Sequence, residues 1–193
     1  MTQPKRRIRR ATLASTVGTA LEWYDFSLYG TAAALVLPHV FFPGESASIA
    51  LLSSLATFAV GFFARPIGGV IIGLLGDRFG RRQMLFVTLL LMSVSSVLIG
   101  CLPSFDRVGY LAPALLVALR VLQGLGAGGE YAGAMLLSAE HAKDQNRGLN
   151  ASIASVGNAV GSVVATAVYF GVQALMSEDA FLSWGWRIPF LLS

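Results

Sequence analysis

An all-α protein that crosses a membrane several times is the fold class this chain predicts, and three observations carry the prediction. The composition is 55% hydrophobic and only 12% charged, with mean hydropathy +0.68, unlike a soluble globular domain. Apolar runs that reach the roughly 20 residues needed to cross a hydrocarbon core recur along the chain. Short polar connections separate them, and Lys and Arg gather in alternate connections.

The 21 glycines fit membrane helices that approach closely through small residues. The net charge of +4 raises the question of nucleic acid, but the basic residues sit beside apolar spans, where positive-inside topology accounts for them. No nucleic-acid partner is expected; the bilayer is. The single cysteine, Cys101, excludes an intramolecular disulfide and reads as an inert helix residue. With only His39 and His141, no metal-ligand spacing arises, and no cofactor is expected.

Taken in order, residues 1–12 carry Lys5, Arg6, Arg7, Arg9 and Arg10, a solvated anchor on the cytoplasmic side. Ala32-Ala33-Ala34 resembles a signal-peptidase site, yet the run before it is too long and contains Glu22 and Asp25, which suits an uncleaved span. Five complete spans are predicted: Leu13–Leu37, Ser48–Gly76, Met84–Leu102, Ala112–Leu137 and Leu149–Met176. The connections Pro38–Ala47, Asp77–Gln83, Pro103–Leu111, Ser138–Gly148 and Ser177–Ser183 are short and polar. With the N-terminus inside, the inner segments hold ten Lys/Arg, the five above with Arg78, Arg81, Arg82, Lys143 and Arg147. The outer flanks hold only Arg107 and Arg187, so a multi-pass chain with a cytoplasmic N-terminus is expected.

A sixth run opens outside at Trp184-Gly-Trp-Arg-Ile-Pro-Phe-Leu-Leu-Ser193, with Trp184 and Trp186 suited to the membrane interface. Ten residues at about 1.5 Å each fall short of a bilayer of about 30 Å. The expectation is therefore a chain cut within its sixth helix.

Five ionisable residues fall within spans: Glu22, Asp25, Arg65, Arg120 and Glu130. A charge at a helix centre costs roughly 2.5–3.5 kcal/mol, whereas each apolar residue offsets only about 0.3–0.6 kcal/mol. Such residues should face a cavity or partner helices and mark a function. Glu22, Asp25 and Tyr29 share one face of the first helix at i, i+3, i+7. Two close carboxylates away from water disfavour a shared double charge, which suits one of them to take up a proton. The competing reading is a structural ion pair with a neighbouring helix.

On the fourth span, Arg120, Gln123 and Glu130 lie along nearly one face. Arginine stays charged and can grip a carboxylate with two donors, so Arg120 suits an anionic substrate or a proton-carrying partner. A permanent ion pair to the first helix is the alternative. Gly124/Gly128, Gly129/Gly133 and Gly157/Gly161 are small-xxx-small pairs for close helix contact, and Asn158 and Ser162 can hydrogen-bond a neighbour. Pro66 removes a backbone donor and is expected to interrupt the second span; Arg65 beside it is open to pairing with Asp25 or Glu22, or to snorkelling.

Between the second and third spans lies Gly73-Leu-Leu-Gly-Asp-Arg-Phe-Gly-Arg-Arg82, a charge-dense reversal in which Gly80 supplies backbone freedom and Asp77 ends a helix among arginines. The spacing G-x-x-x-D-R-x-G-R-R resembles the signature loop of major facilitator superfamily transporters. Gly18-Thr-Ala-Leu-Glu-Trp-Tyr-Asp-Phe-Ser-Leu-Tyr-Gly30, Ala64-Arg-Pro-Ile-Gly-Gly69, Arg120-x-x-Gln-Gly…Gly-Gly-Glu130 and Trp184-Gly-Trp-Arg-Ile-Pro-Phe190 follow in order. Together they resemble the metabolite:proton symporter branch, with its carriers for shikimate, 2-oxoglutarate, citrate and proline/betaine.

The resemblance implies a major facilitator fold of twelve helices in two six-helix halves, with substrate bound between them and alternating access by rocking. On that resemblance this chain is expected to correspond to the N-terminal half, with its sixth helix truncated and the C-terminal half missing. It implies a secondary active transporter for a small organic acid or zwitterion plus a proton. Asp25, Glu22 and Glu130 are then proton-coupling candidates, and Arg120, Tyr29, Gln123 and Arg65 substrate or ion-pair candidates, with Tyr29 and Gln123 lining the cavity. Gly73, Asp77, Arg78, Gly80, Arg81 and Arg82 form a cytoplasmic gating loop. A membrane-embedded enzyme is disfavoured by the lack of G-x-S-x-G or H-E-x-x-H. A non-transporting membrane protein or assembly subunit would leave the buried carboxylates and arginine together unexplained.

Overall fold

The structure, a computed structural model, describes the backbone of residues 3–141 and 147–193 and the side chains of 16–80, 83–129 and 156–193. Among the described residues every regular element is helical. The long helices are α1 (Gln3–Leu35), α3 (Ala47–Phe79), α4 (Arg81–Cys101), α6 (Leu111–His141) and α7 (Arg147–Ala174). Short helices join them: α2 (Leu37–Phe41), α5 (Phe105–Val108), α8 (Glu178–Ala180) and α9 (Arg187–Leu191). Ala47–Phe79, Gln83–Cys101, Leu111–Gly129 and Val156–Ala174 are long and apolar enough to cross a membrane. Among the described residues the first helix is not one of these, and Glu22 and Asp25 lower its hydropathy.

Several boundaries differ from the sequence expectation, each for a local reason. The helix predicted over 13–37 starts at Gln3, because its Lys- and Arg-rich lead is itself a good helix former. It stops at Leu35: Pro38 has no N–H to give to the preceding turn, and Val36 leaves helical geometry at φ −120°. The segment 38–47 is therefore not wholly a polar connection, since α2 buries Leu37, Pro38, Val40 and Phe41. Pro66 does not interrupt α3, which runs unbroken from its Ser46 cap to Phe79. The reversal expected over 77–83 narrows to Gly80 alone, at φ +100°, where the left-handed region favours glycine; its N–H donates to the Gly76 carbonyl at 2.9 Å. The sixth run begins earlier than Trp184, through α8, capped by Ser177, and a π-helical turn at Phe181–Gly185.

Packing reverses the habit of soluble proteins. The buried face of α3 is Ala50, Ser54, Thr57, Gly61, Ala64 and Gly68, a stripe of small residues at alternating steps of four and three. Its Gly61, Ala64 and Gly68 meet α6, the main neighbour of α3, at backbone distance, while Ser54 and Thr57 bond α1. A Cβ added at Gly124 would lie 2.2 Å from the Gly61 carbonyl oxygen, and one at Gly128 would lie 1.9 Å from that of Arg65. The second tight seam joins α1 to α7, where a Cβ on Gly161 would meet the Ala20 carbonyl oxygen at 2.1 Å. Large side chains point outward instead: Phe63 is 77% exposed and Leu74 69%, as expected where lipid is the solvent.

The aromatic core lies around α2, the start of α6 and the sixth run. Trp184 is exposed, but Trp186 is fully buried between Phe41 and Phe190, with ring centroids 6.0 and 5.9 Å away. The interface role expected for the tryptophan pair is thus open only to Trp184. Two residues apart, the two rings fall on different faces of the run.

Candidate substrate and proton site

Four helices converge on one small cavity. Helix α1 brings Glu22, Asp25 and Phe26; α3 brings Gly61, Phe62 and Arg65; α4 brings Met92; α6 brings Arg120, Gln123 and Gly124. The open space among them is about 20 Å³, room for about one water.

The two carboxylates of α1 have different partners. Glu22 pairs directly with Arg65, Oε1 to Nη2, at 3.3 Å. That guanidinium also lies against the rings of Phe26 and Phe62, 5.5 and 5.2 Å from their centroids. The choice left open for Arg65 is made in favour of Glu22, with both side chains partly exposed. Asp25 is only 6% exposed and has no direct cation partner among the described residues. Its Oδ2 accepts from the Ser96 hydroxyl at 2.8 Å, and its Oδ1 accepts from the Ser193 hydroxyl.

Arg120 is 5% exposed and does not form the direct ion pair to α1 that was one of its two readings. Its Nη1 donates to Gln123 Oε1 at 2.5 Å, and Nη2 donates to the Phe58 carbonyl at 3.4 Å. The guanidinium rests on the face of Tyr29, 3.8 Å from the ring centroid, with Phe58 at 5.3 Å. Gly61 makes room for it, since a Cβ there would lie 2.8 Å from Nη2. Arg120 Nε is buried and finds no acceptor among the described residues. Gln123 Nε2 in turn donates to Ser96 Oγ at 2.7 Å. Arginine and aspartate are therefore joined, but through two neutral side chains.

The other candidates fall around this network. Gln123 lines the cavity as expected. Tyr29 does not: it is fully buried beneath Arg120, and its hydroxyl meets Thr57 Oγ1 at 2.6 Å. Thr57 spends its own proton on the Ser54 carbonyl at 2.6 Å, which leaves Tyr29 as the donor. The side chain of Glu130 lies outside the described residues, as do those of Arg81 and Arg82. Gly73 and Asp77 belong to α3, and Arg78 lies against the ring of Phe79 at 5.6 Å. Ser162, expected to bond a neighbour, accepts from Ser27 at 2.8 Å across the α1–α7 seam.

Sequence reasoning missed Ser96, the residue that joins the two sides. Its signal was present: Ser93-Val-Ser95-Ser96 is a polar cluster in an otherwise apolar span, where hydroxyls seek partners on facing helices. It also missed Phe58, whose carbonyl and ring both hold Arg120.

The family profile described as Sugar (and other) transporter matches residues 11–193, and the chain belongs to this family of major facilitator transporters. It is 48% identical over 187 residues to the shikimate transporter of Escherichia coli K12, covering 97% of this chain and 43% of that protein. It is 43% identical to the glycine betaine/proline/ectoine/pipecolic acid transporter OusA of Dickeya dadantii, covering 97% and 37% respectively. The chain thus spans less than half the length of these curated relatives. In fold it matches a D-xylose-proton symporter with TM-score 0.79 at 24% identity, over 95% of this chain and 44% of that one. The inward-open xylose transporter XylE of E. coli matches with TM-score 0.76 at 23% identity, over 96% and 44%. The relatives are transporters and not enzymes, and the fold is that of membrane-embedded, multi-pass carriers.

Proposed function

We propose that residues 1–193 are the N-terminal half of a proton symporter that moves a small organic acid or zwitterion across the cytoplasmic membrane by alternating access, partnered by a C-terminal half. The observation that carries this reading is a buried aspartate and a buried arginine at one cavity, linked by neutral hydrogen bonds instead of an ion pair. Protonating Glu22 forfeits its direct attraction to Arg65. Protonating Asp25 forfeits no direct ion pair and requires only that hydroxyls turn. Asp25 is therefore the proton site, and Glu22 the fixed partner of Arg65. Arg120, with an unused Nε–H, is the group that meets a substrate carboxylate.

The cavity is too small for a metabolite by itself, so the second half supplies the facing wall. Gly73, Asp77, Arg78, Gly80, Arg81 and Arg82 form the cytoplasmic gate, hinged at the single residue Gly80. The N-terminus lies inside, on the Lys/Arg asymmetry.

The test is uptake of labelled shikimate, proline and glycine betaine by the full-length carrier in vesicles, with and without an inward proton gradient. Accumulation of one of them only with the gradient is expected. Equal accumulation after the gradient is collapsed would refute symport.

A further inference from the structure

We propose that Ser96 and Gln123 are positioning residues that make Arg120's hold on Gln123, and hence its freedom to meet an anionic substrate, depend on whether Asp25 carries a proton. The proposal rests on the reading of Asp25 as the proton site. Its basis is the direction of three consecutive hydrogen bonds. Arg120 Nη1 donates to Gln123 Oε1, Gln123 Nε2 donates to Ser96 Oγ, and Ser96 Oγ donates to Asp25 Oδ2, at 2.5, 2.7 and 2.8 Å. All three run from cation to anion. The four side chains are each nearly or wholly buried, so bulk water competes little for these bonds. Bonds aligned head to tail polarise one another, so the carboxylate's charge strengthens the arginine's bond three links away.

A proton on Asp25 Oδ2 breaks this alignment. Ser96 has one hydrogen, and a protonated Oδ2 no longer accepts it. The Ser96 oxygen can then accept from Asp25 while its hydrogen turns elsewhere. A backbone carbonyl one turn back is the nearest option: the adjacent Ser95 already donates to the Leu91 carbonyl, four residues earlier, at 2.6 Å. Ser96 would then accept from both sides and pass on no negative charge, so Gln123 holds Arg120 less firmly. The other described charged or titratable groups near Asp25 are Glu22 and Tyr24 on α1, Arg65 on α3 and Arg120 on α6. From α4 it meets Ser96, and from the sixth run Ser193. From α6 the Gln123 amide also lies against the Asp25 carboxylate, and Ser96 is the hydroxyl that bonds both Asp25 and that amide.

The test needs no substrate. Infrared difference spectra between acidic and alkaline pH are recorded on the full-length carrier in lipid, with the Arg120 guanidinium bands identified by their loss in Arg120→Lys. The wild type should show a carboxyl band that is absent in Asp25→Asn, accompanied by a shift of the Arg120 bands. Ser96→Ala should keep the carboxyl band and lose the guanidinium shift; Ser96→Thr, which retains a hydroxyl, should restore it. Gln123→Leu breaks the other link and should give the Ser96→Ala result, so the test survives if one variant fails to fold. A guanidinium shift that persists undiminished in Ser96→Ala or Gln123→Leu means the charge acts through space, and overturns the relay while leaving Asp25 as the proton site. A carboxyl band that survives Asp25→Asn overturns the proton-site reading itself, and the relay with it.

Discussion

Glu22 and Asp25 stand one helical turn apart on the same face of α1, and the protein treats them in opposite ways. Glu22, near the open side of the cavity, meets Arg65 directly at 3.3 Å, and that arginine is backed by two phenylalanine rings. Asp25, deeper, is given only neutral partners, two hydroxyls and the Gln123 amide, and the nearest buried arginine is held by an amide, a carbonyl and a tyrosine face. Attraction between opposite charges is strongest in a poorly solvated interior, so a direct pair at the deeper position would be hard to break. Hydroxyls can donate or accept and turn at little cost, which leaves the deeper carboxylate free to change its charge. One carboxylate is thus a fixture and the other a switch.

That contrast breaks most severely at Arg120. In the full-length carrier, Arg120→Ala should cut uptake on the order of 100-fold, in line with the roughly 3 kcal/mol lost when one partner leaves a buried charged network. Arg120→Lys should fare nearly as badly, because an ammonium lacks the planar fork that reaches Gln123 and the Phe58 carbonyl together. Near-normal uptake with lysine would reduce Arg120 to a point charge. Immunoblots of the membrane fraction separate both results from loss of the protein.

A milder disturbance comes from Gly61→Ala. The new methyl would sit 2.8 Å from Arg120 Nη2 and force the guanidinium off its seat. Overpacking of this kind costs about 1–3 kcal/mol, so roughly a tenfold rise in KM is expected, with expression retained. An unchanged KM would show that the seat of Arg120 does not matter. Smallest of all should be Glu22→Gln. Arg65 keeps its two phenylalanine rings, and an amide oxygen at residue 22 can still accept from its guanidinium, so uptake should fall less than in Gly61→Ala. A loss as large as that of Arg120→Ala would erase the distinction between fixture and switch.

Much of the fold was legible because lipid imposes a length on each span, and the long helices fall where apolar runs were read. The departures lie where apolar residues occupy connections: Val40 and Phe41 bury a helical turn, and Phe181 and Leu182 join the start of the sixth run. The site was legible as a set, since Glu22, Asp25, Arg120 and Gln123 are polar residues in membrane-length helices. Their partners were not. Whether Glu22 or Asp25 takes Arg65 depends on the register of α1 against α3, which the Tyr29–Thr57 and Ser54–Ala33 hydrogen bonds hold and which hydropathy does not encode. Tyr29 shares the carboxylates' face but lies one turn beyond the cavity, under Arg120. Ser96 was overlooked because a serine in a span is usually satisfied by its own helix, as Ser95 is.

The most direct measurement compares Asp25→Asn with Glu22→Gln in one vesicle preparation of the full-length carrier, assaying proton-driven accumulation and gradient-free exchange of the same labelled substrate. A neutral amide at residue 25 imitates the protonated acid but cannot cycle. Asp25→Asn should therefore abolish accumulation while exchange continues, and Glu22→Gln should retain both. Accumulation surviving in Asp25→Asn but lost in Glu22→Gln would contradict the account, and move the proton to the carboxylate that already has a cation.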